Sequence, residues 1–173
     1  MVEVRLRAVR VDLQSNTPVL LLQESEGLGR TLPIFIGAPE ATAIAFALQG
    51  METPRPMTHD LIHDLLEALD ADVVRVVVTE LRASTYYAEI VLRQDGHELP
   101  VSSRPSDAVA VAVRTGAPLF VSDELMDAEG IMLAVDEEEE ESDEEPADDG
   151  NPEEIVGEFR SFLDSIRPED FSS

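Results

Sequence analysis

Two histidines lie four positions apart in the segment HDLIH, one turn apart if the segment is helical. His59 and His63 would then share one helical face, as metal ligands on a helix do. The match to a metalloprotease motif stops there, because Asp60 replaces the glutamate and no downstream histidine completes the motif. Zinc binding, a general-base role for His59, and ordinary helix or surface histidines are the open alternatives.

Two arginines each precede a proline, Arg55 in RPMTHD and Arg104 in RPSD. The proline restricts the backbone before it, so each guanidinium is presented from a fixed loop. An arginine can bind phosphate through two parallel hydrogen bonds. The structural alternative is that these arginines pair with Glu40, Asp60 or Asp107 and hold the loops together.

Hydroxyl groups are a third chemical feature of this region. Ser102, Ser103 and Ser106 are close in sequence, but no base stands at a spacing that is diagnostic of a hydroxyl nucleophile. Ser106 is interpreted as the N-cap of the helix that follows it. Tyr86 and Tyr87 are predicted on opposite faces of one strand, and aromatic residues at 5% supply no stacking platform for single-stranded nucleic acid.

Composition limits the remaining chemistry. Cysteine is absent, which excludes disulfides, thiolate metal sites and cysteine nucleophiles. The formal net charge is -25, and all 12 basic residues are arginine, so the chain as a whole repels phosphodiester backbones. With no signal-peptide pattern and no apolar stretch of membrane length, we predict a soluble, cytoplasmic protein without membrane contact. The glycine-bearing turns lack a phosphate-cradling pattern, so no organic cofactor is predicted.

An internal repeat indicates how these residues are positioned. The segment LPIFIGAPEATAIAFALQG from Leu32 aligns with LPVSSRPSDAVAVAVRTGA from Leu99 at an offset of 67, which makes Glu40 equivalent to Asp107. Upstream of each segment, two apolar strand patterns precede a glycine-bearing turn. Each half is therefore predicted to contain three strands and then a helix with an acid in its first turn. A pseudo-twofold arrangement of the halves would bring the two helix starts together.

Further elements flank the repeated units. A helix is predicted from Thr58, which is interpreted as its N-cap. A single apolar face on this helix comprises Leu61, Ile62, Leu65, Leu66 and Leu69. The alternating AVAVAV segment is interpreted as helix because of its partner repeat and its Pro-Ser-Asp start. A short buried strand is predicted at 119–121, and a capped helical turn from Ser122 or Asp123.

The predicted fold class is α+β, with internally duplicated β-β-β-α units forming a mixed, mainly antiparallel sheet or barrel-like core with packed helices. This domain is predicted to span residues 1–135. Residues 136–151 contain eleven carboxylates and are predicted to be a flexible acidic linker. Residues 152–173 are predicted to form an amphipathic helix, whose apolar stripe packs on its own domain or on a partner protein.

Four ordered motifs carry a family resemblance, namely LPIFIGAPEATAI, RPMTHDLI, TYYAEI and SSRPSDAVAVAVRTGAPLFV. They resemble the bifunctional nuclease family, also called the DUF151 domain, over about residues 2–132. The chain lacks the UvrB/UvrC-like motif that follows the domain in some relatives, and its C-terminal segment is similar to the tails of bacterial members. The resemblance implies an α+β fold, a homodimer, and cleavage of both DNA and RNA.

For a nuclease without cysteine, the resemblance implies carboxylates that hold Mg²⁺ or Mn²⁺. Glu40, Asp60 and Asp107 are the candidate metal ligands, although an acid in a first helical turn is also explained by capping alone. His59 is preferred to His63 as a catalytic residue because it lies inside RPMTHD. Arg104 is a candidate for catalysis and substrate binding, and Arg55 for substrate binding.

Three functional hypotheses follow from the sequence. The first is a divalent-metal-dependent nuclease of low sequence specificity, which the resemblance supports and the acidic composition opposes. The second is a non-catalytic, homodimeric binding or regulatory module whose C-terminal helix docks on its own domain or on a partner protein. The third is a small-molecule binder that uses the seam between the two repeats.

Overall fold

The computed structural model describes residues 1–51 and 53–133, which contain seven strands and four helices. In chain order the elements are β1 (Val2–Asp12), β2 (Thr17–Glu24), β3 (Thr31–Phe35), α1 (Ala38–Leu48), α2 (Thr58–Ala68), β4 (Asp72–Arg82), β5 (Thr85–Gln94), β6 (His97–Ser103), α3 (Pro105–Thr115), β7 (Leu119–Val121) and α4 (Asp123–Glu129). The predicted α+β class is confirmed. The predicted acidic linker and C-terminal helix lie outside the described residues. Within the described ranges, no helix has the length and apolar character needed to cross a bilayer.

The seven strands form one open, mixed sheet in the order β3-β2-β1-β7-β4-β5-β6. Only the β4–β7 pair is parallel among the described strands, and the other five pairs are antiparallel. Strands β3 and β6 are the two edges of the sheet. The mainly antiparallel sheet is therefore the correct form of the predicted core, and the barrel-like alternative is wrong because the edge strands do not pair with each other.

The two halves of the domain repeat the same order of elements. Strands β1 to β3 precede α1, strands β4 to β6 precede α3, and β7 pairs with β1 on one side and β4 on the other. Helices α1 and α3 begin at residues 38 and 105 and end at 48 and 115, so both ends keep the offset of 67. Whether the halves arose by duplication stays a prediction.

Helix α3 forms the centre of the hydrophobic core. The AVAVAV segment is helical, as interpreted, and its residues from Ala108 to Ala112 are at most 2% exposed. The alternation reflects burial on all sides of α3, because α1, α2 and the sheet surround this helix. Its N-cap is Arg104 and its first residue is Pro105, so the prediction of Ser106 as N-cap is wrong. Ser122 does cap α4, as predicted, by accepting a hydrogen bond from the Leu125 amide.

Helix α2 is present as predicted, with two corrections. Its N-cap is Met57 rather than Thr58, because Thr58 is already helical. The Asp60 carboxylate accepts a hydrogen bond from the Met57 amide. The predicted apolar face divides into two. Ile62 and Leu66 are partly buried, whereas three leucines are 50–60% exposed: Leu61, Leu65 and Leu69. The division arises because α2 packs on α3 through the side that contains His59.

Candidate active site at three helix N-termini

The first turns of three helices surround one cleft of about 510 Å³. The polar or N-terminal part of its lining includes Pro39 and Glu40 from α1, Thr58 and His59 from α2, and Asp107 with the N-cap Arg104 from α3. Each of these helices carries an acid as its third residue, Glu40, Asp60 or Asp107. Helix N-termini carry partial positive charge, so both the acids and a bound anion are favoured there.

Arg104 bridges the equivalent acids of the two halves. Its Nη2 donates to Glu40 Oε1 at 2.7 Å, and its Nε donates to Asp107 Oδ2 at 2.8 Å. A second bond joins Nη2 to Asp107 Oδ1 at 3.1 Å. The expectation that the helix starts meet is therefore confirmed, and Arg104 makes the predicted ion pairs. Its side chain is nonetheless 66% exposed, so the guanidinium lies at the mouth of the cleft.

His59 and Asp107 form a hydrogen-bonded pair inside the cleft. His59 Nε2 lies 3.1 Å from Asp107 Oδ1, and the histidine is buried. Burial raises the pKa of Asp107, but hydrogen bonds from Arg104 and His59 outweigh it and leave the pKa below its ordinary value. An ionised Asp107 favours the tautomer with the proton on Nε2, which leaves His59 Nδ1 as the basic nitrogen. This is the arrangement of an oriented general base.

Asp60 belongs to a separate cluster on the other side of α2. Its Oδ1 accepts from Arg114 Nε at 2.5 Å, and its Oδ2 accepts from the Met57 amide at 2.8 Å. Arg114 also donates to the carbonyls of Ala110 and Ala43, and its side chain is only 8% exposed. The hydrogen bond from Arg114 lowers the pKa of Asp60. Asp60 lines a different cavity, of about 580 Å³, together with His63.

The three predicted metal ligands do not gather around one point. Arg104 satisfies Glu40 and Asp107, whereas Arg114 and a backbone amide satisfy Asp60. Among the described residues, one group of at least three His, Asp or Glu side chains has its ligand atoms all within 4.8 Å of one another: His63, Asp64 and Glu67, on the surface of α2. The donor set therefore does not fit one divalent cation shared by Glu40, Asp60 and Asp107.

The predicted histidine pair is also divided between the two cavities. His59 lines the cleft with Arg104, whereas His63 lines the cavity with Asp60 and lies near Asp64 and Glu67. Although four-residue spacing places both histidines on one side of α2, His59 and His63 contact different cavities. A zinc site that uses both histidines is not formed by this arrangement.

Arg55 lies in the loop before α2 and is exposed. Within residues 1–51 and 53–133, no ion pair or hydrogen bond joins its guanidinium to Glu40, Asp60 or Asp107. The loop is instead held by its backbone, because Thr53 Oγ1 donates to the Arg55 carbonyl at 2.6 Å. Of the two arginines that precede a proline, Arg104 therefore pairs with the predicted acids and Arg55 does not. A phosphate-binding role for Arg55 stays a prediction.

The adjacent tyrosines separate to opposite faces of β5, as predicted. Tyr86 packs against the hydrophobic core. Tyr87 lies under the Arg82 guanidinium, 4.5 Å from its ring centroid, in a cation–π contact. Neither tyrosine lines the cleft.

Comparison with known proteins places this fold and cleft in a family. A family model described as the bifunctional nuclease domain matches residues 20–134, a range that includes the entire cleft. This chain belongs to that family. The resemblance drawn from the four motifs is therefore confirmed, and the candidate residues Glu40, His59, Arg104 and Asp107 all lie inside the matched domain.

The relatives differ in how much of their length matches this chain. An uncharacterised protein of Mycobacterium tuberculosis is 43% identical over 171 residues, which are 99% of this chain and 98% of that protein. Bifunctional nuclease 1 of Arabidopsis thaliana is 28% identical over 119 residues, and Bifunctional nuclease of Oryza minuta is 25% identical over 119. The matched part is 67% of this chain but only 37% and 36% of those two plant proteins.

Proposed function

We propose that this protein is a nuclease that hydrolyses phosphodiester bonds of DNA and RNA with low sequence specificity, using the cleft at the three helix N-termini. One observation carries the proposal: the His59–Asp107 pair and the exposed Arg104 face the same cleft. A base, its orienting carboxylate and a phosphate-binding group are the parts that phosphodiester hydrolysis needs. The name of the family, bifunctional nuclease, agrees with this assignment.

In this mechanism each residue has one role. Asp107 holds the His59 ring so that Nδ1 can take a proton from the attacking water. As the water oxygen bonds to phosphorus, the P–O bond to the leaving oxygen breaks, and that oxygen takes a proton from the solvent. Arg104 exchanges its carboxylate partners for phosphate oxygens, which its exposure at the cleft mouth allows. Glu40 holds Arg104 in place until the substrate arrives. Arg55 adds a second cation on a loop near the start of α2.

The strong negative charge of the chain bears on substrate affinity. Residues 1–133 contain 20 acidic side chains and 10 arginines, and residues 134–173 contain 17 and 2. Most of the excess charge is thus outside the domain that holds the cleft. We expect weak binding that depends on the ionic strength and on added cations. Because Glu40, Asp60 and Asp107 do not face one point, the roles of His59, Asp107 and Arg104 do not depend on bound Mg²⁺ or Mn²⁺. Cleavage with and without these ions measures their effect separately.

The test compares two histidines of one helix. His59→Asn should lower the rate of cleavage of single-stranded DNA and RNA by roughly 10²–10⁴ fold, because the general base is removed. His63→Asn is the matched control, since His63 faces the other cavity, and it should retain activity. Both are assayed with EDTA, Mg²⁺ and Mn²⁺, with the melting temperature as a check on folding. Equal activity of folded His59→Asn and wild type would refute the mechanism.

A second candidate function is a non-catalytic, homodimeric regulatory module. The supporting observation is an exposed apolar row made by Leu61 and Leu65 of α2 and its C-cap Leu69, which suits association with another apolar surface. In that case all purified forms would lack cleavage activity. Leu65→Glu would convert a dimer to a monomer in analytical ultracentrifugation, whereas a nuclease that works as a monomer would keep its activity and its mass.

A further inference from the structure

The Ser103 hydroxyl is an unexplained polar group at the edge of the candidate site. Its Oγ exposes less than 1 Å² and has no hydrogen-bond partner within the described part of the chain. Buried polar atoms nearly always have a partner, and leaving one without costs stability. Because this hydroxyl lies next to a cleft, we infer that its hydrogen-bond partner is an atom of a bound ligand.

The register of β6 directs Ser103 towards the cleft. Ser103 pairs with Ala88, a core residue that faces the helices, so its side chain lies on the helix-covered side of the sheet. Ser102 pairs with Glu89 and lies on the opposite side. Only one of the two adjacent serines can therefore meet a ligand in the cleft, and the other is a natural control.

The surroundings of Ser103 favour an anionic ligand. The next residue is Arg104, whose guanidinium lies at the mouth of the same cleft. Three helix N-termini direct their positive ends towards this space. Glu40 and Asp107 oppose an anion, and Arg104 bonds to both of them only until it transfers to the phosphate. His59 keeps its hydrogen bond to Asp107 when the anion is bound. The cleft, at about 510 Å³, is large enough for a phosphodiester group and its adjoining sugars.

We propose that Ser103 is a phosphate-binding residue, whose hydroxyl donates a hydrogen bond to a non-bridging oxygen of the scissile phosphodiester while Arg104 binds the other oxygen. The identity of the ligand rests on the nuclease function proposed above. Ser103 is a donor in this arrangement and not a nucleophile, because its Oγ has no hydrogen bond to His59 or to any other base among the described residues. The bond is to a charged oxygen, which makes it stronger than a hydrogen bond between neutral groups.

Binding is measured apart from cleavage, on the full-length protein. The probe is a fluorescent oligothymidylate in EDTA, made cleavage-resistant by a methylene group in place of the bridging leaving oxygen, so that both non-bridging oxygens remain; binding is followed by anisotropy. Ser103→Ala should weaken binding roughly tenfold, the loss expected for a hydrogen bond to a charged group. Ser102→Ala should bind as tightly as wild type. The melting temperature of Ser103→Ala should equal or exceed that of wild type, because an unpaired buried hydroxyl has been removed.

Each outcome decides the inference. Wild-type binding in Ser103→Ala, equal weakening in both serine variants, absence of binding by the wild type, or a lower melting temperature in Ser103→Ala would each overturn it. A parallel cleavage assay separates the two proposals. If binding depends on Ser103 but no form cleaves nucleic acid, the phosphate site stands and the nuclease function fails. If the enzyme cleaves and Ser103→Ala is unaffected in binding and rate, the reverse holds.

Discussion

Helix α3 carries an arginine at each end, and the two do different work. Arg104, at the N-cap, holds Glu40 and Asp107 from a side chain that is 66% exposed. Arg114, in the last turn, holds Asp60 and two backbone carbonyls from a side chain that is 8% exposed. Both form arginine–carboxylate bonds shorter than 3 Å. Exposure, rather than the bond itself, separates an arginine that can exchange partners with a substrate from one that fixes the fold.

The largest expected effect comes from removing the acid on each side of this comparison. Asp60→Ala leaves the buried Arg114 without a counter-charge, so the free energy of unfolding should fall by about 2–3 kcal/mol. Glu40→Ala removes an acid from the same helical position in α1, but its partner is exposed, and the loss should stay below about 1 kcal/mol. Urea unfolding measures both. Similar losses would mean that the exposure of the arginines does not separate their roles.

Lysine substitutions test the same contrast through geometry. Arg104→Lys keeps the positive charge but loses the planar fork, so oligonucleotide binding should weaken about tenfold with little change in stability. Arg114→Lys loses the Nε bond to Asp60 and should lower stability more than it lowers binding per folded molecule. Anisotropy and urea unfolding are measured on both variants. A stable Arg114→Lys together with an unfolded Arg104→Lys would reverse our interpretation.

The pH dependence of stability should report the lowered pKa values of two carboxyl groups, one bonded to Arg114 and one to Arg104. The pKa values of Asp60 and Asp107 are below their ordinary value. Such groups add stability above the unfolded-state pKa of about 4, and this contribution is lost as the pH falls through the folded-state pKa. Wild-type stability should therefore decline below about pH 4. Asp60→Asn and Asp107→Asn should each show a shallower decline in urea unfolding between pH 6 and pH 2, and an unchanged slope would contradict the assignment.

The smallest expected effect concerns the N-cap of α1, which is equivalent to Arg104 in the repeat. Gly37 is the N-cap of α1, and a Cβ there would collide with Glu40 Oε2. Because that oxygen ends a flexible side chain, Gly37→Ala should displace the carboxylate at a cost below about 1 kcal/mol. Arg104 would then bond less to Glu40. Oligonucleotide binding should be equal to that of wild type or slightly tighter. A large loss of stability would show that Glu40 is more rigidly held than its exposed partner implies.

Much of the fold followed from local sequence. The 67-residue offset predicted a helix in each half with an acid in its first turn, because similar segments adopt similar conformations. A pseudo-twofold arrangement of the halves then predicted that the two helix starts would be neighbours. Asp60 and its partner could not be predicted in this way. Arg114 is 54 positions from Asp60 and lies in the last turn of another helix, so only tertiary packing brings them together. For that reason the sequence did not show that Asp60 lies apart from Glu40 and Asp107.

Side-chain direction was the second limit of the sequence. Adjacent residues of a strand point to opposite faces of the sheet, so Ser102 and Ser103 must face opposite sides. Which of the two sides holds the cleft depends on the pairing of β6 with β5. The apolar pattern of α2 likewise predicted a helix without showing that Leu61, Leu65 and Leu69 remain exposed. A sequence pattern shows that one face of a helix or strand is more apolar than the other. The neighbouring elements determine which part of that face is buried.

Strand β7 has three residues, yet it joins the two halves of the sheet by pairing with β1 and β4. It is also the last of the described strands to be synthesised. During translation, both three-stranded meanders leave the ribosome before the residues that connect them. The nascent chain therefore presents two unpaired inner edges until Val121 has emerged. Unpaired strand edges of this kind can pair with another chain until β7 covers them.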